Sequence, residues 1–149
     1  MNENELAGLL ESLKRMGSDD LSVEVKESAM TLSRDVWETV SAFANTAGGI
    51  IVLGVSEHAG FVPVTNFETE KVLNQFVAGM GDAGGRGKLA NPPKYTIERV
   101  ELQGTVVLVI TIEELDPSSK PCYVIERGAQ GGSYKRIDDK DVPISSTEV

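Results

Sequence analysis

A helical segment that runs directly into two glycines and an apolar stretch restricts the fold of this chain most. Apolar side chains recur at helical spacing over residues 34–44, and Ser33 stands where a capping residue is expected. Gly48 and Gly49 follow, and both are expected to adopt positive φ between the helix and the next strand. Residues 50–55 are almost continuously apolar, which is typical of a strand buried on both faces. The sequence therefore predicts a helix, a tight turn and a central strand in direct succession.

The flanking segments predict further strands and helices, from the spacing of their apolar residues and from their turn residues. The predicted elements are helices over 3–16 and 67–77, strands over 21–26 and 61–64, a hairpin that joins 95–102 to 105–112 through Gln103 and Gly104, and a second hairpin that joins 122–126 to 133–137. The expected fold class is α/β (α+β), with a mixed sheet and two to three helices.

Residues 79–93 form a glycine-rich segment that includes Arg86 and Lys88. A Walker phosphate loop would need glycine at the position of Asp82 and serine or threonine at that of Leu89, so the pattern fails. The segment is interpreted as a flexible connection.

Length and composition indicate a single domain, because 149 residues normally build one hydrophobic core. No apolar run approaches the roughly 18 residues that a membrane span needs, and the N-terminal residues lack a basic, apolar signal region. We expect a cytoplasmic protein without a membrane partner.

The chain has one cysteine, Cys122, and one histidine, His58. An internal disulfide and zinc sites built from several such ligands are therefore excluded. The two residues are weak candidates for a catalytic pair, and Cys122 is expected to be a buried apolar side chain. A metal site made of carboxylates remains open.

Five short motifs occur in a fixed order along the chain. They are Glu24-Val25-Lys26 with Asp19 upstream, Ser-Ala-Phe-Ala-Asn-Thr-Ala-Gly-Gly at 41–49, Gly54-Val55, Ser-Ser-Lys-Pro at 118–121, and Tyr134-Lys135-Arg136. In order and spacing they resemble the Schlafen/AlbA-type domain of bacterial transcriptional regulators. The resemblance covers residues 17–140. It leaves residues 1–16 as an N-terminal helix and 141–149 as a tail that is expected to continue into a longer protein.

This resemblance implies a nucleic-acid-binding domain, with DNA as the expected ligand. The residues that it nominates for phosphate contact are Lys26, Asn45, Lys135 and Arg136, together with Arg86 and Lys88 if the glycine-rich segment folds over the same face. The net charge of −9 opposes such binding unless these cations are grouped on one surface. The sequence departs from the family pattern after Arg136, where acids stand at 138, 139 and 141.

Two other functions stay open. The Schlafen branch of the family includes metal-dependent RNA cleavage by three carboxylates, and Asp19, Glu24 and Glu57 match by position. Such a site would bind Mg²⁺ or Mn²⁺ weakly, and no other cofactor is expected. Glu24 can equally pair with Lys26. The acidic net charge also fits a module that binds protein partners or further copies of itself as a homo-oligomer.

Overall fold

The computed structural model describes residues 1–16, 22–82 and 84–145. Its helices are α1 (Glu3–Met16), α2 (Val36–Asn45), α3 (Thr69–Met80) and the short α4 (Ala129–Gly132). Its strands are β1 (Val23–Lys26), β2 (Gly49–Leu53), β3 (Val55–Ser56), β4 (Val62–Pro63), β5 (Leu89–Ala90), β6 (Tyr95–Leu102), β7 (Thr105–Ile112), β8 (Tyr123–Val124), β9 (Tyr134–Ile137) and β10 (Lys140–Pro143). Turns of 3-10 helix lie at Pro117–Ser119 and Ile125–Arg127.

A mixed four-stranded sheet in the order β1-β2-β7-β6 forms the centre of the molecule. Strands β1 and β2 are parallel, and α2 lies between them in the chain as the crossover that parallel pairing requires. The pairs β2–β7 and β6–β7 are antiparallel, and the tight turn of the β6–β7 hairpin at Gln103 and Gly104 is confirmed. The mixed sheet predicted from the sequence is thus confirmed.

Both faces of the sheet are covered, which explains the continuous apolar run in β2. On one face, Ile51, Leu53 and Ile110 pack in a cluster with residues of α2 and α3. On the other face, Val52 and Val109 pack in a cluster with leucines of α1. Neighbouring residues of a strand point to opposite faces, so each strand contributes to both clusters. None of the helices in the described ranges is long and apolar enough to cross a membrane.

The junction of α2 and β2 depends on two glycines for different reasons. Gly48 has a φ of +72°, and its N–H donates to the Phe43 carbonyl at 2.7 Å. Gly49 does not have the positive φ that the sequence suggested; instead, a Cβ there would come within 2.8 Å of the Phe43 ring. The expected cap at Ser33 is also wrong, since α2 begins after Asp35 and the Ser33 hydroxyl lies 3.0 Å from that of Ser28.

The second predicted hairpin, between 122–126 and 133–137, is not formed. Strand β8 pairs with β5, and β9 pairs with β10 in a hairpin of its own. A single bridge, from Tyr123 to Ser133, joins the two predicted partners. The pairing of β5 also corrects the view of 79–93 as a wholly flexible connection, because part of this segment belongs to a sheet.

Candidate nucleic-acid interface

Arg136 on β9 lies at the centre of a buried network of charges. Its side chain is only 1% exposed, and Nη1 donates to Glu24 and to Asp141 at 2.8 Å each. Nη2 donates to the Val23 carbonyl at 3.2 Å. These contacts attach the β9–β10 hairpin to the edge strand β1.

Neighbours on α2 complete this network. The guanidinium carbon of Arg136 lies 5.0 Å from the centre of the Phe43 ring, and the Thr39 hydroxyl donates to Asp141 at 2.6 Å. Burial lowers the pKa of Arg136, but its hydrogen bonds to Glu24 and Asp141 outweigh this effect, and the pKa is raised overall. The guanidinium is therefore held charged by internal partners and is not available to a phosphate, in contrast to the expectation from the sequence.

Lys26 joins the same network from β1. Its ammonium lies 3.7 Å from Glu24 and 3.2 Å from Asp35, and its side chain is 9% exposed. Lys26 and Arg136 thus share the carboxylate of Glu24. The structure does bring these two predicted residues together, but as parts of an internal ion network rather than of an open surface.

Asn45 at the end of α2 connects three parts of the chain. Its side-chain N–H group donates to the carbonyls of Cys122 and Tyr134, both at 2.9 Å, and its oxygen accepts from the Cys122 N–H at 2.8 Å. The Ser41 hydroxyl, one turn earlier, donates to the Cys122 carbonyl at 2.7 Å. This amide therefore fastens the segments around β8 and β9 to α2, and its hydrogen-bonding groups are already used.

Two of the three carboxylates nominated for a metal, Glu24 and Glu57, lie in the part that the structure describes. Asp19 lies outside the described residues. The Glu24 carboxylate contacts Arg136 and Lys26, and the half-buried Glu57 lies in the turn between β3 and β4. Across residues 1–16, 22–82 and 84–145, no group of three His, Cys, Asp or Glu side chains is placed to hold a metal ion.

Cys122 and His58 lie in different environments. Cys122 is fully buried, and burial raises the pKa of its thiol to about 12. His58 is exposed in the turn between β3 and β4. A thiol that is almost entirely protonated at neutral pH is a poor nucleophile, so Cys122 acts as a core side chain.

Two further predicted cations, Arg86 and Lys88, line a cleft with a volume of about 560 Å³. We call this site the basic cleft. Its lining residues are Arg34, Trp37, Glu38, Arg86, Gly87, Lys88, Val124, Ile125, Glu126 and Arg127. Four of these side chains are cationic and two are acidic. The cations come from three separate segments of the chain and are all exposed.

The backbone around Lys88 is fixed against two neighbouring elements. Its N–H donates to the Gly79 carbonyl at the end of α3 at 2.6 Å, and its carbonyl accepts from the Ile125 N–H at 3.0 Å. A Cβ at Gly87 would lie 2.7 Å from the Gly79 carbonyl oxygen, so only glycine permits this close approach. The pairing of β5 with β8 then holds Lys88 at the cleft.

The cations of the basic cleft differ in how far they are neutralised. Arg127 pairs with Glu38 at 3.2 Å and also donates to the Tyr134 hydroxyl. Within the described ranges, Arg34, Arg86 and Lys88 form no ion pair. Arg34 and Arg127 were missed by sequence reasoning, because each is an isolated cation that only the fold brings beside the glycine-rich segment. Lys135, the last predicted contact, lies half-buried on β9 opposite Val142.

Comparison with known proteins relates the chain to a family and to solved structures of similar fold. The solution NMR structure of the N-terminal domain of a "Putative ATP-dependent DNA Helicase RecG-related Protein" from Nitrosomonas europaea is similar at 28% identity, with a TM-score of 0.65, and the match covers 91% of this chain and 90% of that one. A crystal structure of a Corynebacterium diphtheriae protein, at 16% identity and a TM-score of 0.53, shares the fold, and the match covers 95% of this chain and 26% of that one. Among curated proteins there is no significant match. The family described as Schlafen, AlbA_2 matches residues 19–145. Since this match extends over most of the sequence, the chain belongs to the Schlafen AlbA_2 family.

Proposed function

We propose that this chain is a nucleic-acid-binding domain and that the basic cleft holds the phosphates. The observation that carries the proposal is the grouping of Arg34, Arg86 and Lys88, which form no ion pair in the described part of the chain, around one cleft of a protein with a net charge of −9. In an acidic protein, cations without partners at one place create a local positive potential that attracts phosphate. The similarity to a domain of a DNA helicase-related protein supports the same class of ligand.

The proposal moves phosphate contact away from most of the residues that the family motifs nominate. Lys26 and Arg136 have carboxylate partners inside the protein, and the Asn45 amide is used within the fold. Arg86 and Lys88 keep the role expected from the sequence, and Arg34 and Arg127 join them. If three or four phosphates are held, affinity should fall roughly 15- to 150-fold between 50 and 200 mM salt, because bound counterions are released on association.

The test is fluorescence anisotropy with labelled DNA and RNA at these two salt concentrations. The double variant Arg86→Gln with Lys88→Gln should weaken binding to all sequences alike and reduce the slope of log affinity against log salt by about 1.4–1.8. Lys71→Gln with Lys140→Gln is the matched control, because both lysines are exposed and lie outside the cleft. This double variant removes the same amount of positive charge as the cleft variant. Absence of binding by the unchanged protein at 50 mM salt would refute the proposal, as would equal losses in the two double variants.

Self-association is a second candidate function, favoured by the position of β6 at the edge of the main sheet. An edge strand of eight residues offers backbone groups that can pair with another chain. Antiparallel pairing of two copies about Val100 would set Arg99 of each copy opposite Glu101 of the other. Sedimentation equilibrium tests this candidate, and a monomer mass at every concentration would contradict it.

A further inference from the structure

We infer that the basic cleft recognises single-stranded nucleic acid, with one unstacked base against its apolar floor and the neighbouring phosphates on its cationic rim. This inference rests on the proposed function and narrows it to one class of nucleic acid. It follows from three properties of the cleft: the chemistry of its floor, the placement of its cations and its size.

The floor is apolar and contains Trp37, the one tryptophan of the sequence. Trp37 and Val124 are 9% and 6% exposed, and Ile125 beside them is half-buried. The indole N–H of Trp37 has no hydrogen-bond acceptor within the described ranges, although the residue lines the cleft. An aromatic base matches this apolar surface.

The tryptophan ring is held in place before any ligand arrives. Its ring stacks on Phe76 with 5.4 Å between centroids and an interplanar angle of 22°. Gly79 lies against its far edge, where a Cβ would come within 2.0 Å of the Trp37 ring. Because the ring is already fixed, a ligand loses little binding energy in ordering it.

The rim carries the charges that a strand's phosphates require. Arg34, Arg86 and Lys88 are exposed, whereas Trp37 and Val124, which line the same cleft, are buried, so the charges lie closer to solvent than the apolar surface does. Of the two acids, Glu38 is paired with Arg127 at 3.2 Å. Glu126 is the remaining exposed acid and would repel a phosphate. Because Glu126→Gln removes this repulsion, the substitution should tighten binding of the phosphates.

The cleft matches one nucleotide better than a double helix. Its volume of about 560 Å³ lies in the usual range of sites for single small ligands. In a duplex the base faces are stacked inside the helix, so that only phosphates, sugars and base edges are available. A duplex could meet the rim cations but would leave the floor of Trp37, Val124 and Ile125 empty. A single strand can satisfy both surfaces.

The experiment compares four probes of equal length: a thymidine strand, a uridine strand, an abasic strand with the same number of phosphates, and a duplex. Anisotropy gives the affinities, and the fluorescence of Trp37 reports base contact directly because the sequence has no other tryptophan. We expect single strands that carry bases to bind about 10-fold more tightly than the abasic strand or the duplex. We also expect them alone to quench Trp37.

Two variants separate the floor from the rim. Trp37→Leu, which removes the aromatic ring, should remove most of the preference for strands with bases while leaving the salt dependence unchanged, and a thermal melt checks that the protein still folds. Glu126→Gln, on the exposed rim, should strengthen binding of all four probes without altering the preference among them.

The outcomes distinguish this inference from the proposed function. Equal affinities for the duplex, the abasic strand and the strands with bases, with no change in Trp37 fluorescence, would overturn the inference and leave phosphate binding by the cleft intact. If none of the four probes binds at 50 mM salt, the proposed function and the inference both fail. Preference for strands with bases that persists in Trp37→Leu would also overturn the assignment of the floor.

Discussion

Replacing Arg136 by methionine tests whether the charges around β9 serve the fold or a ligand. Methionine keeps much of the side-chain length and its packing over Phe43, but it removes the positive charge from between Glu24 and Asp141. Those two carboxylates would then lose their main partner while remaining only 15% and 13% exposed. The variant should therefore be unstable for an electrostatic reason rather than because a cavity forms.

The expected loss follows from the burial of the network. Breaking a buried ion pair by removing one partner costs about 3–5 kcal/mol. Since Glu24 and Asp141 keep some contact with solvent, the lower end of about 3 kcal/mol is expected here. For a chain of this size, that corresponds to a decrease in melting temperature of roughly 6–12 °C.

Thermal and denaturant unfolding followed by circular dichroism measure this loss. Lys140→Met is the control, because Lys140 is an exposed cation on the same hairpin. Adding Glu24→Gln and Asp141→Asn to Arg136→Met should recover at least half of the lost stability, since positions 24 and 141 are then neutral and Lys26 keeps Asp35 as its partner. Arg136→Met as stable as the control, or a triple variant no better than the single one, would refute the reasoning.

Three further predictions concern the junction, the thiol and metal binding. Gly48→Ala should lose about 1–3 kcal/mol of folding free energy, more than Gly104→Ala, because both sites have positive φ but only at Gly48 would an added Cβ meet the backbone, at 2.7 Å from a carbonyl oxygen; paired urea titrations test this. Cys122 should react with Ellman's reagent at pH 8 more than about 100-fold slower in the folded protein than in guanidinium, because its raised pKa and burial remove the thiolate. Millimolar Mn²⁺ should shift the melting temperature by less than about 2 °C, and a larger shift that disappears in Glu24→Gln with Glu57→Gln would instead establish those carboxylates as ligands.

The parts of the fold that could be predicted are those determined by local pattern. The β6–β7 hairpin has long strands and a turn of Gln103 and Gly104, so its register is fixed by neighbours in sequence. The pairing of β8 is different, because a strand of only two residues has too short a pattern to specify which strand it pairs with. Contacts with Asn45, 77 residues away from Cys122, fix the position of this segment. Such a contact has no signature in the local sequence.

The same limit applies to the candidate site. The sequence alone does not distinguish a lysine or arginine that forms an ion pair inside the protein from one that faces solvent. The Arg136–Glu24 pair joins residues 112 positions apart, so the burial of this cation follows only from the assembled fold. Conversely, Arg34 and Arg127 stand in no motif, and it is the packing of α2 against the β8 region that brings them to the basic cleft.

The motifs that relate this chain to its family and the cations of the basic cleft are different sets of residues. Lys26, Asn45 and Arg136 stand in the motifs, and each is engaged inside the fold. Arg86 and Lys88 stand outside all five motifs, at positions where a side-chain change leaves the internal networks intact. Under the proposed function, the family motifs therefore describe a scaffold, whereas ligand binding would depend on cleft residues that the scaffold presents. A direct consequence is a separation of effects: neutralising a motif cation should lower stability, and neutralising a cleft cation should lower affinity at unchanged stability. If both kinds of variant instead changed the same property, scaffold and binding surface would have to be one, and the assignment of the cleft would have to be abandoned.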